Sequence, residues 1–414
     1  MSGSENAVHT CTYDLPFVMA SDLAAPIRAP TECRDGLRFG ASTTCTNSLV
    51  MISDDGRRDG PPRSGIVCTY GEKKDGWALI DTLHHPVPRS GDEFGAALDC
   101  DNDQLIVGSP GDGMGGTPGG EAWIFTRASE GWIAESRLAV EGLPSGSRFG
   151  ETVAIHGNYA AVGTPRYDSD GLWDRGRVDV FTRTAHGWKS TSTLEPSQKM
   201  SSMWFGKSLS FCGPNQSLFI GAPGFDTPSD RAGAVFHAKR NTKGCWNIHS
   251  RIQAHTPVPL ERMGMSITGE GNSLFVGSPG SDKGGHYAGS ILHIRNGFAP
   301  SIIGEYFSPP YPNARLGVIV ESSKEWIAAS MPGAQHTEGI GNIRMYRIHT
   351  DRIQPVCQMY SRDTEPPLGQ SISMNRQYLI VSGIYAEDDY PQSGCVWILK
   401  LSDLNPWTRG STRK

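Results

Sequence analysis

A two-residue signature recurs seven times along this 414-residue chain and leaves it little freedom in how to fold. The pairs are Phe39-Gly40, Phe94-Gly95, Phe149-Gly150, Phe205-Gly206, Met263-Gly264, Leu316-Gly317 and Leu368-Gly369, so the unit returns after 55, 55, 56, 58, 53 and 52 residues. Between pairs lie four short runs with alternating apolar and polar positions. In the third unit they fall at 151–155, 159–162, 177–183 and 188–194, divided by Gly157-Asn158, Gly163-Thr164-Pro165 and Gly187. Period-two spacing broken by Gly, Asn and Pro specifies antiparallel strands joined by turns. One such sheet has too little apolar face to stand alone, so the copies must stack on one another. A period near 50 built from four strands predicts an all-β, seven-bladed β-propeller of four-stranded antiparallel blades.

A second mark ends the second strand of six units: Gly108-Ser109-Pro110, Gly163-Thr164-Pro165, Gly221-Ala222-Pro223, Gly277-Ser278-Pro279, Ser330-Met331-Pro332 and a decayed Ser382-Gly383-Ile384. The first unit has Ser53-Asp54-Asp55 instead. Together the two marks resemble the FG-GAP repeat of integrin α-subunit headpieces and related propeller lectins, over roughly residues 17–401. The resemblance implies that the aromatic of the first mark and the proline of the second pack where blades meet. It also implies that the strand two-to-three loops share one face with the links between blades. The family often holds calcium in an Asp-rich turn between strands one and two. Here those turns, near 46–48, 101–103, 157–158, 213–216, 270–272, 322–324 and 375–376, lack the alternating oxygens that calcium requires. No cofactor or metal is therefore expected; the nearest alternating-carboxylate segment, Asp168-Ser169-Asp170-Gly171-Leu172-Trp173-Asp174, follows strand two.

The seventh unit supplies only three strands, near 368–374, 377–383 and 394–401. Its fourth is expected from the N-terminal segment at 17–26, where Phe17, Leu23 and Pro26 lie in register with Trp77, Leu83 and Pro86 of the first unit's outer strand. A ring closed this way leaves no open edge between its ends. Residues 1–10 and 403–414 read as tails of a single domain at 11–402. The other fourth strands open on Trp77, Trp132, Trp188 and Trp246 in units one to four.

The 50 Gly and 28 Pro are spread through the repeats as turn residues. A net charge of −5 without a basic stripe argues against nucleic acid. No run approaches a membrane span, and the first residues lack the basic start and apolar core of a signal peptide, so a soluble product is expected. Of nine cysteines, Cys45 and Cys68 fall on strands one and three of one blade, about 9.6 Å apart, too far to bridge. Mostly reduced thiols are expected, with Cys11 and Cys33 the pair free of strand constraints. His84-His85 is expected to be solvated.

Seven long strand two-to-three loops, at 54–64, 111–119, 166–175, 224–232, 280–288, 333–340 and 385–393, make one face the expected working surface. Their candidate ligand-binding residues are Arg166, Tyr167, Asp168, Asp170, Trp173, Asp174, Phe225, Asp226, Asp282, Tyr287, Tyr385 and Asp388. Aromatic rings gain little in a loop unless they pack or bind. No nucleophile elbow, zinc-protease helix, P-loop, dinucleotide fingerprint or zinc pattern occurs. The expected function is a non-enzymatic recognition or adhesion module for a protein or glycan. The alternatives are a rigid assembly part of a virus particle or large complex, and a glycan-cleaving enzyme with carboxylates across the central funnel.

Overall fold

The computed structural model describes residues 8–9, 15–30, 38–56, 63–111, 119–213, 217–226, 229–297, 299–307, 312–336, 339–349, 352–361, 366–384 and 394–404. Seven antiparallel sheets form a ring of blades. Blade three shows the pattern: Thr152–His156, Tyr159–Thr164, Arg177–Thr184 and Gly187–Leu194 pair in sequence order. First strands of successive blades touch one another around the axis, while fourth strands form the rim. This position explains the apolar patterning. The second strand is covered on both faces by neighbouring blades, and Tyr159–Thr164 is buried throughout; the rim strand Gly187–Leu194 leaves Lys189, Ser190, Thr191 and Thr193 to solvent.

The first mark sits where blades meet. Phe39, Phe94, Phe149, Phe205, Met263 and Leu316 are all 0% exposed. Phe149 lies among Ile106, Ile124 and Leu138 of blade two and Val162 and Phe181 of its own blade. Its ring, like those of Phe94 and Phe205, meets a third-strand Phe edge-on, with Phe205–Phe236 centroids 5.2 Å apart. Five of the opening residues also bridge to the Gly just before the third strand of the preceding blade: Gly65–Phe94, Gly120–Phe149, Gly176–Phe205, Gly233–Met263 and Gly289–Leu316. A methyl group on Gly176 would stand 2.2 Å from the Phe205 carbonyl oxygen, so only glycine fits.

The second mark works by the same close approach. A Cβ on Gly163 would lie 2.5 Å from the carbonyl oxygen of Gly206 in the next blade, and one on Gly277 would lie 1.9 Å from that of Gly317. Into this space a first-strand hydroxyl reaches across the seam: Thr152 donates to Gly206 O at 2.6 Å, Ser208 to Gly264 O at 2.8 Å and Ser266 to Gly317 O at 3.0 Å. In blade seven, where the mark carries Ser382 in place of Gly, that hydroxyl makes the equivalent bond itself, to Gly40 O at 2.7 Å. Pro110, Pro165, Pro223 and Pro279 are buried beside these seams. Pro332 is exposed because its strand, Trp326–His336, runs on past the mark with a register shift.

The N-terminal segment does close blade seven, but with different residues from those expected. Ile27–Arg28 pairs antiparallel with Val396 and Cys395 as the fourth strand. Phe17–Met19 instead adds a parallel fifth strand to blade six, beside Gln358–Tyr360, and Ala20–Leu23 turns as a short helix. The apolar side chains decide this: Val18 and Ala20 are buried in the cluster shared by blades six and seven, and Phe17 meets Tyr360 edge-on at 6.2 Å. Within the expected N-terminal tail, Val8–His9 forms a parallel strand on blade five. At the other end, Leu401 and Leu404 are buried in that same shared cluster, so the chain stays anchored beyond residue 402. Cys45, Cys68, Cys100, Cys212, Cys245, Cys357 and Cys395 are free thiols; Cys11 and Cys33 lie outside the described residues.

Replacing Phe149 or Phe205 with Ala should cost roughly 3–5 kcal/mol by cavity formation, measured by denaturant unfolding; a change below about 1 kcal/mol would contradict this packing. Removal of residues 1–30 should expose the edge at Cys395–Lys400 and cause aggregation or a large fall in melting temperature. A monomer with an unchanged melting curve would refute that mode of closure.

Candidate ligand-binding face

The long loops are held to the next blade along their trailing ends. In the blade three loop, Trp173, Asp174 and Arg175 offer carbonyls to the N–H groups of Ser202, Trp204 and Phe205, at 2.8, 3.0 and 3.2 Å. Asp230, Arg231 and Ala232 bind Leu260, Arg262 and Met263 in the same way, as His286, Tyr287 and Ala288 bind Asn313, Arg315 and Leu316. The receiving backbone is left-handed at the first two of its three positions, with φ of 56° and 52° at Ser202 and Trp204, 60° and 57° at Leu260 and Arg262, and 63° and 55° at Asn313 and Arg315. Three seams thus carry one geometry, and the trailing ends of these three loops are fixed to the next blade.

Within the loops, three of the candidate aspartates pin the backbone. Asp168 accepts from the Asp174 N–H at 2.7 Å, Asp226 from that of Arg231 at 2.8 Å and Asp282 from that of Tyr287 at 2.7 Å. Asp170 pairs with Lys199 at 3.2 Å and lies 3.9 Å from Arg175. Among the described residues no group of three or more His, Cys, Asp or Glu could hold a metal ion. Arg166 is exposed and 3.5 Å from Glu151, and half-buried Tyr167 carries the Arg177 guanidinium over its ring at 5.4 Å. Tyr287 is half-buried beside His286. Trp173 stands out at 68% exposure, the most open large apolar side chain among the described residues. Phe225 must be withdrawn from the candidate set: it is 2% exposed, packed on Phe236 and covered by Arg251 at 4.6 Å. Tyr385 and Asp388 lie outside the described residues.

A band of charge runs through the residues flanking the opening pairs. Glu93, just before its pair, binds Arg63 at 2.7 Å and Arg148 at 3.0 Å; Arg148 reaches Glu151 at 2.8 Å, and Glu151 reaches Lys207 of blade four at 2.7 Å. Burial alone would raise the Glu151 carboxyl, but Lys207 and Arg148 outweigh it and hold it below the usual range. In blade one, Asp54 and Asp55 are buried rather than solvated; burial and the Asp55 charge push Asp54 up to about 7.

His85 also departs from its expected solvation and is 3% exposed. Its Nδ1 accepts from the Val87 N–H, which leaves Nε2–H to donate to Glu121 at 2.6 Å. Burial would raise Glu121, yet the bonds from His85, Trp123 and Arg137 hold it at about 2.

Sequence reasoning left the funnel carboxylates unnamed. Asp99 and Glu321 each fall five residues after an opening residue, at positions where blades three to five have Ala154, Ser210 and Thr268. These five residues line a cavity of about 290 Å³ inside the ring of first strands. Both Asp99 oxygens accept backbone N–H groups, from Cys100 and from Ile155 of the next blade, each at 2.8 Å. Burial nevertheless raises Asp99 to about 7, and burial with the nearby Asp99 charge raises Glu321 to about 8. The signal available in the sequence was a carboxylate at an inner-strand position that other units fill with small residues.

Neither known protein families nor curated proteins give a match to this chain. Its reading therefore rests on the repeat and on the geometry above.

The funnel carboxylates make stability depend on pH. Asp99 and Glu321 keep protons in the fold that the unfolded chain releases near its ordinary values of 3.8 and 4.5. Their contribution is complete below that range and is lost as pH rises through about 7 and about 8. Relative to the parent, Asp99→Asn/Glu321→Gln should gain several degrees of melting temperature between pH 5 and pH 9, on the scale of roughly 2–4 °C per kcal/mol. A constant difference across that range would mean that both carboxylates titrate as in water.

Proposed function

We propose that this propeller is a non-enzymatic recognition module that binds a protein or glycan on its long-loop face, with the blade three loop as the principal anchor. One observation carries the reading: Trp173 is 68% exposed on a loop whose backbone is fixed at both ends. An indole on a tied backbone spares the cost of ordering the loop on binding and offers a large stacking surface to a sugar ring or a side chain. Arg166 and Asp170 of the same loop, and Lys199 paired with Asp170, are exposed and add charged groups to this face. The likeness of the two marks to FG-GAP propellers and propeller lectins supports the same face.

The enzyme alternative is weaker on local grounds. Asp99 spends both oxygens on backbone donors of its own ring, and the residues around it belong to the strands that hold the ring together. The assembly alternative differs in outcome, because a rigid part of a larger particle need not depend on Trp173.

Trp173→Ala should weaken capture on a glycan array or from a fractionated lysate by roughly 2 kcal/mol or more, the scale of an interface hot spot, with the melting temperature unchanged. Capture that survives this change and disappears when the opposite face is altered would put the working surface elsewhere.

A further inference from the structure

The residue immediately before each opening pair stands at the loop-face end of the inner strand. In blades one to six it is Arg38, Glu93, Arg148, Trp204, Arg262 and Arg315. Side chains at this position in adjacent blades can meet, since Glu93 and Arg148 form a 3.0 Å ion pair across the seam between blades two and three. In blade one the position is also neutralised, with Arg38 donating to Asp55 at 3.2 Å. The alternation of charge then stops. Arg262 and Arg315 occupy equivalent positions in neighbouring blades, are half-buried and exposed respectively, and have no ion-pair or hydrogen-bond partner for their guanidinium groups among the described residues.

Nearby carboxylates are already engaged. Glu261 is buried against Lys283 at 3.1 Å, Asp226 and Asp282 cap their own loops, and Asp230 is 4.0 Å from Arg231. The backbone gives a second reason to ask what these arginines do. Both sit at φ near +56°, where Gly or Asn costs less, and the seam needs only their N–H groups. A long cationic side chain at a left-handed position, unpaired, in a chain of net charge −5, is not explained by the fold.

We infer that Arg262 and Arg315 form an anion-binding site beside the aromatic anchor of blade three, and that the ligand is an acidic glycan carrying carboxylate or sulfate groups. The inference rests on the recognition reading given above and specifies its ligand. Around the face, Trp173, then half-buried Trp204, then Arg262 and Arg315 follow one another across blades three to six. The indoles offer stacking surface for the apolar faces of sugar rings. The guanidinium forks match carboxylate and sulfate oxygens in paired, charge-assisted bonds that an ammonium group reproduces poorly.

Binding of the full-length protein is measured by calorimetry with a sulfated heparin oligosaccharide, a hyaluronan oligosaccharide, whose only charge is carboxylate, and an uncharged chito-oligosaccharide of similar length. The parent should bind at least one charged probe tenfold or more tightly than the neutral one, with an advantage that shrinks as salt is raised. Arg262→Ala/Arg315→Ala should erase that advantage with an unchanged melting curve, and Arg262→Lys/Arg315→Lys should restore only part of it. The two charged probes separate sulfate from carboxylate preference. Charged and neutral probes bound equally well, both dependent on Trp173, would overturn the anion site while leaving the recognition face intact. Charged probes lost with the arginines but kept in Trp173→Ala would uphold the site and remove blade three as anchor. Binding of no probe, or charged binding indifferent to the arginine pair, would overturn the inference.

Discussion

Everything in this ring depends on how closely one blade's backbone can approach the next. At each well-described seam a glycine leaves room for a carbonyl oxygen that any Cβ would strike, as at Gly176 against Phe205 and Gly277 against Gly317. The missing side chain brings two sheets within reach of a direct hydroxyl-to-carbonyl bond and seals the opening Phe in a dry pocket between them. Hydrophobic burial supplies most of the driving force, but the glycines set the distance at which that burial is complete. Where Ser382 replaces Gly in blade seven, the hydroxyl comes from the second strand and still reaches the neighbouring carbonyl, so at that seam the bond survives a change in the residue that makes it.

The sequence made the blade count, strand order and most strand limits readable, because one physical unit is written seven times. Errors arose where a residue's role depended on something outside its own repeat. Phe17, Leu23 and Pro26 matched the outer strand of blade one, yet Val18 and Ala20 find their burial between blades six and seven, which draws the segment away from the edge it resembles. Phe225 looked like a loop aromatic because it follows a turn, but the third strand of its own blade turns Phe236 toward it. His85 lay outside any recognisable pattern, since its partner Glu121 belongs to the next unit.

The proposed binding face shows the same division. The aspartates that appeared to offer ligands are in part internal fasteners, and the exposure of Trp173 follows from how its loop is tied to Ser202 and Trp204. Arg262 and Arg315 were visible as residues one place before an opening pair, but their significance appears only when Glu93 and Arg148 are seen to meet in space. Charge alternates between neighbours only over blades one to three, and spacing along one chain does not display which of these side chains meet.

The N-terminal belt has a consequence for how the molecule is made. Ile27 pairs with Val396, and the parallel strands before it lie against blades five and six, so the strand partners of this segment come from blades five to seven. Blades one to four can assemble during synthesis as an open arc, each new sheet docking on the one before. Until blades five to seven form, this segment lacks its strand partners, and the two ends of the arc stay exposed. Closure is therefore the most non-local step of folding and the slowest to nucleate.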